Sequence, residues 1–186
     1  MPGSYRRAVL FLLFFFVLFG CASKKMLLEK SNDHTPYWID LSQWEDERYI
    51  YFVASSRDEV SSAEGLRKAK ELLIKNIQEK MKDWIDSDYA DHFSKAGSCR
   101  DSEKIKRDLN KITINLLDFE NLIPDNSYYE KMSDHDQTYY KCYLYKALSK
   151  EIIRSRQKES VETIQTQYTE DKDALKFLTR LGESYK

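Results

Sequence analysis

The chain has 186 residues, with 30 Lys and Arg against 31 Asp and Glu for a formal charge of −1. That balance argues against a nucleic-acid partner, which needs Lys and Arg gathered on one face. With only 5 glycines there is no P-loop and no glycine-rich dinucleotide turn, so phosphate cradles of those kinds are excluded too.

The first stretch sets the cellular address. Behind Arg6 and Arg7 runs an apolar segment, Ala8 to Phe19, followed by Gly20 and Cys21. This is the layout of a secretory n-region, h-region and cleavage site. At about 12 residues, the run is shorter than the roughly 20 a spanning helix needs. The end of the run resembles the lipobox of bacterial lipoproteins, with Gly20 and Cys21 in place and Phe19 where that motif usually has a small residue. The resemblance implies that the Cys21 thiol receives a diacylglyceryl group, that residues 1–20 are removed as a signal peptide, and that the new amino terminus is acylated. Two or three acyl chains hold a protein firmly on a bilayer where one binds reversibly. The alternative is an ordinary signal peptide cut nearby, leaving Cys21 as a stray thiol. Cleavage removes two arginines and no acid, so the remaining portion of about 165 residues is mildly acidic and long enough for one domain with a real core.

Residues 21–35 are expected to be the lipidated terminus and a tether, polar apart from Met26-Leu27-Leu28. A domain over residues 36–148 follows. Tyr37, Trp38, Ile39, Leu41 and Trp44 would seat its entry on the core, with a carbohydrate-stacking surface as the alternative. Tyr49 to Ser56 is aromatic and β-branched and predicts a buried strand. A long helix should begin near Ser61 or Ser62, with Glu64 placed for a capping box. Its Leu66, Ala69, Leu73, Ile77, Met81 and Trp84 recur every three or four residues as one buried stripe, and its Lys, Arg and Glu form a solvated face.

Asp86 to Cys99, polar and broken by Gly97, reads as a loop. It carries Asp86, Asp88, Asp91 and His92, but the spacing matches neither an EF-hand nor an HExxH helix, so no metal site is assigned. A second helix is predicted from about Ser102 to Leu117. Two strands follow, 118–132 and 138–148, joined by a short polar link as an antiparallel hairpin, with Pro124 making the start of the first irregular. In the second, Tyr140, Cys142 and Leu144 share one face, and Tyr139, Lys141, Tyr143 and Tyr145 the other. Residues 149–186 read as a charged helical tail, one helix or two joined near Thr169, whose thin apolar stripe either packs on the domain or awaits a partner helix.

With Cys21 lipidated, Cys99 and Cys142 are the remaining cysteines, and an exported compartment permits them to pair. Closing a loop of about 43 residues would restrict the unfolded chain by roughly 4 kcal/mol. The alternative is two unpaired thiols. A catalytic cysteine would need a positioned histidine, and nothing local places His92 or His135 for that role.

The order tether, Pro36-Tyr37-Trp38, strand, long helix with Ala69 and Leu73, second helix, and a tyrosine-rich hairpin ending at Tyr143-Leu144-Tyr145 resembles the twenty-kilodalton bacterial surface lipoprotein (Lpp-twenty-like) family over about residues 36–148. It is also similar in layout to the amino-terminal domains of certain flagellar assembly lipoproteins. The family often has Gly where this chain has Ala54, and the charged tail lies outside it. The resemblance implies an α+β fold, a small antiparallel sheet with helices packed on one face, and envelope or adhesion roles without catalysis. The expected function is a lipid-anchored, non-enzymatic binding or scaffolding module of the cell envelope, engaging a protein through its tail helices or sheet edge. The alternatives are an assembly or activator subunit for a wall, flagellar or export machine, and, behind it, an envelope enzyme. No cofactor is expected. Ala22 and Ser23 after the cysteine, in place of an Asp retention signal, point to the outer membrane.

Overall fold

The computed structural model describes residues 25–135 and 137–185, so the apolar run and Cys21 lie outside the described residues. Five strands, β1 (Met26–Lys30), β2 (Gln43–Glu45), β3 (Tyr49–Glu59), β4 (Asn126–Asp134) and β5 (Gln137–Ser149), form one antiparallel sheet in the order β1-β4-β5-β3-β2. Four helices accompany it: α1 (Ser62–Ala96), α2 (Ser102–Leu116), α3 (Lys150–Gln165) and α4 (Lys172–Glu183). The fold is α+β.

Period-two alternation divides the sheet cleanly. Ile50, Phe52, Ala54, Cys142 and Leu144 are buried towards α1, while Val53, Tyr128 and Tyr143 are buried in a separate cluster on the other face. The start of α1 follows the predicted chemistry: Ser61 is extended, and its hydroxyl accepts from the Glu64 amide at 3.2 Å. Buried residues then recur at Gly65, Ala69, Leu73, Ile77, Met81, Ile85 and Tyr89, a strict spacing of four. At 100° per residue each step of four advances about 40°, so the stripe winds some 240° around the helix between its ends. One helix therefore serves two partners. Gly65 meets Ser56 and Cys142 on the sheet, whereas Tyr89 and Phe93 meet α2, α3 and α4.

Three expectations about the elements need correction. Residues 86–96 are helix, not loop, because Ile85 and Tyr89 continue the stripe and both are fully buried. The chain breaks at Gly97, whose φ of 92° is open to glycine and whose N–H still reaches the Phe93 carbonyl. Residues 118–125 are not strand: Asp118 is left-handed, Phe119–Asn121 is a 3-10 turn with Phe119 buried, and β4 begins only after Pro124. Residues 26–30 are not tether. They form β1, held to β4 by its ladder, by Tyr129 Oη donating to Glu29 at 3.0 Å and by the Ser31 N–H reaching the Tyr129 carbonyl at 3.0 Å.

The carboxy-terminal segment breaks in two near Thr169, as its polar Thr-Glu-Asp predicts, and Asp171 caps α4 by accepting from the Asp173 and Ala174 amides. It is no separate tail. Ile153, Val161, Ile164, Phe177, Leu178 and Leu181 are buried in the cluster that holds Ile85, Tyr89, Ile105 and Leu109. Arg180 also donates to the Ala96 carbonyl at 3.0 Å, closing the end of α1.

Candidate functional site

Helices cover one face of the sheet and leave the other to aromatic side chains. The 3-10 turn Tyr37–Asp40 lays Trp38 over that second face, and Trp44, Tyr49, Tyr51 and Tyr145 surround it half-buried, with Tyr37 78% exposed beside them. Trp44 and Tyr51 are cross-strand partners with ring centroids 4.7 Å apart and planes 13° from parallel. Tyr51 stacks towards Tyr145 at 6.2 Å, and Tyr145 on Trp38 at 5.5 Å. A 4.7 Å centroid separation equals the spacing between strands, so the Trp44 and Tyr51 rings lean on one another.

One carboxylate pins the stack. Asp46 accepts from the Tyr51 hydroxyl at 2.6 Å and from the Arg48 and Tyr49 amides at 2.7 Å each. The Tyr51 hydrogen bond and then those of Tyr49 and Arg48 hold the Asp46 carboxyl below its ordinary range. The same bond, ahead of desolvation, pushes the Tyr51 phenol up to about 12. Tyr51 therefore stays a neutral donor at physiological pH. No local signal in the sequence announces this stack, because its members come from the 3-10 turn, β2, β3 and β5 and meet only through the sheet register.

A second constellation spans the chain from Asp88 to Ser184. On α1, Asp88 and His92 lie one turn apart with their side chains largely buried, and His92 Nε2 is 3.6 Å from Asp88 Oδ2. His92 Nδ1 lies 2.7 Å from the Ser184 hydroxyl, and its ring stacks on Tyr185 at 3.9 Å. Residue types alone suggest a serine nucleophile with its base. The direction of that hydrogen bond is set by the imidazole tautomer, and the Ser184 hydroxyl also lies 2.6 Å from the Leu181 carbonyl, a second acceptor for its one proton. A nucleophile needs that proton aimed at the imidazole lone pair. Desolvation, partly opposed by Asp88, lowers the His92 pKa and keeps the ring neutral. The cluster anchors the end of α4 onto α1. Beside it, Tyr89 bonds Thr113 at 2.9 Å, and Thr113 bonds Ser160 at 2.7 Å, a buried polar tie among α1, α2 and α3.

The remaining candidate residues are dispersed. Asp86 accepts from Asn110 on α2, Asp91 is exposed, and among the described residues no three metal-ligating side chains converge. His135 stands at the hairpin tip beside Asp134, 2.9 Å away. The pairing of Cys99 with Cys142 is overturned: both are free thiols. Cys142 touches Gly65 near the start of α1 and Cys99 lies just past its end, and 31 helical residues span about 47 Å against the roughly 7 Å limit for a disulfide. Burial pushes the Cys142 thiol up to about 11 and raises Cys99 less far. Iodoacetamide at pH 8 on the native protein should therefore alkylate half-buried Cys99 at least about tenfold faster than Cys142; equal rates would contradict this packing.

The chain matches no protein-family model, no curated protein and no solved structure.

Proposed function

We propose that the chain is a lipid-anchored protein of the bacterial cell envelope, in the outer membrane, and that it works as a non-enzymatic binding module for another protein. The observation that carries this reading is the open aromatic face, joined to a sequence that places Cys21 directly behind an export signal. The rings of Trp38, Trp44, Tyr51 and Tyr145 already stack on one another, which leaves fewer free π faces for a sugar to lie on. A protein surface, able to meet apolar edges and hydroxyls together, fits better, and tyrosine and tryptophan are enriched where proteins meet. The burial of the carboxy-terminal stripes moves the expected partner surface from the tail helices to the sheet.

Two measurements test the reading together. Labelled palmitate should enter the wild-type protein and not its Cys21→Ala form. A photo-crosslinking amino acid at Tyr37 or Tyr49 should capture one protein partner in cells, whereas the same probe at exposed Lys111 on α2 should capture none. Palmitate incorporation that survives Cys21→Ala would refute the anchor, and equal crosslinking from all three positions would refute the face.

A further inference from the structure

Only Ala22, Ser23, Lys24 and Lys25 separate the lipidated cysteine from the first strand. Five residue steps span at most about 18 Å when fully extended, compared with about 50 Å for a 15-residue tether. The strand they lead into is the outermost of the sheet. β1 pairs with β4 along one side, and no described strand pairs with the other. Met26, Leu27 and Leu28 are 55%, 47% and 45% exposed, three consecutive large apolar residues with no cover among the described residues. Met26 and Leu27 are consecutive and point to opposite faces, and Leu28 falls where the register shifts between Leu27 and Glu29, so no single packing partner on either face of the sheet could bury all three. A medium that meets the strand edge-on can.

We propose that β1 is a membrane-facing edge, lying in the interfacial layer of the bilayer that holds the acyl chains of Cys21. This inference rests on the lipid-anchor reading above. Met26, Leu27 and Leu28 would enter the headgroup and acyl boundary, where the unpaired backbone groups of the strand still find water and headgroup oxygens. Lys25, with its side chain 62% exposed despite Asp134 at 3.8 Å, sits where an ammonium meets lipid phosphate. The orientation follows from the strand order. β3 and β2 are three and four strand spacings away, about 14 and about 19 Å, which carries Tyr49 and Tyr51 on β3 and Trp44 on β2 clear of the surface with their face turned sideways. The anchor thus orients the binding face as well as localising it.

The test uses the full lipidated chain, carrying Cys99→Ala so that its half-buried thiol takes no label, in vesicles of phosphatidylethanolamine and phosphatidylglycerol. A nitroxide is placed at Leu27→Cys, at Leu28→Cys as a second probe of the strand, and at exposed Ile123→Cys as the control. The expected result is an oxygen-to-nickel-chelate collision ratio several-fold higher at 27 and 28 than at 123. With the diacylglyceryl mass present on the Cys21 peptide, water-like ratios at 27 and 28 would overturn the proposal and leave the anchor standing. Dipolar broadening between labels at 27 that disappears on dilution with unlabelled protein would overturn it in favour of β1 pairing between two copies. Absence of the lipid mass would refute the anchor, and this inference with it.

Discussion

Ending the chain after Leu148 should abolish the helical half of the molecule, not merely trim a tail. α3 and α4 contribute Ile153, Val161, Ile164, Ala174, Phe177, Leu178 and Leu181 to one buried cluster with Ile85, Tyr89, Ile105 and Leu109. Six of the seven are Leu, Ile, Val or Phe, each stabilising the fold by roughly 1.5–3 kcal/mol when buried. Their sum is on the order of 10 kcal/mol, the whole net stability of an ordinary domain. The truncation also uncovers the hydroxyls of Tyr89 and Thr113, which have partners on α3. Circular dichroism should show the second half of α1 and all of α2 melted at 25 °C, and amides over 85–113 should exchange without protection. A truncated protein with an unchanged melting temperature and protected amides at Ile105 and Leu109 would show that the segment is an appendage after all.

Gly65→Ala should destabilise the protein although alanine is the better helix former. A Cβ at this position would clash with Cys142 Sγ and sit 3.1 Å from Cys142 Cβ and 3.1 Å from Ser56 Oγ. The serine cannot retreat without giving up its 2.8 Å hydrogen bond to the Gly65 carbonyl. Overpacking of this kind costs about 1–3 kcal/mol, and the gain in helix propensity returns about 1. With contacts this short the upper half of that range applies, for a net loss of about 1–2 kcal/mol and a fall in melting temperature of about 3–6 °C. Cys142→Ala removes the sulfur and leaves room for the new methyl. The double variant should be more stable than Gly65→Ala alone despite the second lesion, a coupling of at least about 1 kcal/mol. Additive losses in denaturant titrations would mean that the close approach of α1 to β5 is not what selects glycine.

The readings from sequence that hold are the local ones. Ser61 caps α1 because a hydroxyl followed three residues later by Glu64 and then an apolar stripe is an N-terminal signal complete within four residues. The core of β3 and the two faces of β5 could be read from alternation, since a strand in a half-buried sheet shows its faces at period two. The break between α3 and α4 falls at the polar turn before Asp171. The misreading of residues 86–96 comes from judging polarity instead of position. Residues 86–96 are rich in Asp and Ser, yet Tyr89 stays in register with Ile85, and one buried position per turn is enough for a helix that other helices cover. Residues 26–30 are too short to show a period, and β1 exists because β4, a hundred residues away, presents an unpaired edge.

Much of the candidate site was beyond local reading for the same reason. Trp44 and Tyr51 stack because a three-residue strand pairs with β3 in one register, and a shift of one residue would point them at opposite faces. The buried tie of Tyr89, Thr113 and Ser160 looks, in sequence, like three unremarkable polar residues on solvated helices. What the amino-acid sequence determined by itself is the identity and caps of most helices and strands, and the two faces of the hairpin. All of these depend on contacts within a few residues or on a simple period. Only the tertiary structure decided that the last helices belong to the core, that Cys99 and Cys142 are held a helix length apart, and that the first strand lies at the sheet edge. Each depends on where a 35-residue helix and a five-stranded register carry side chains distant in the chain, and no short window of sequence contains that distance.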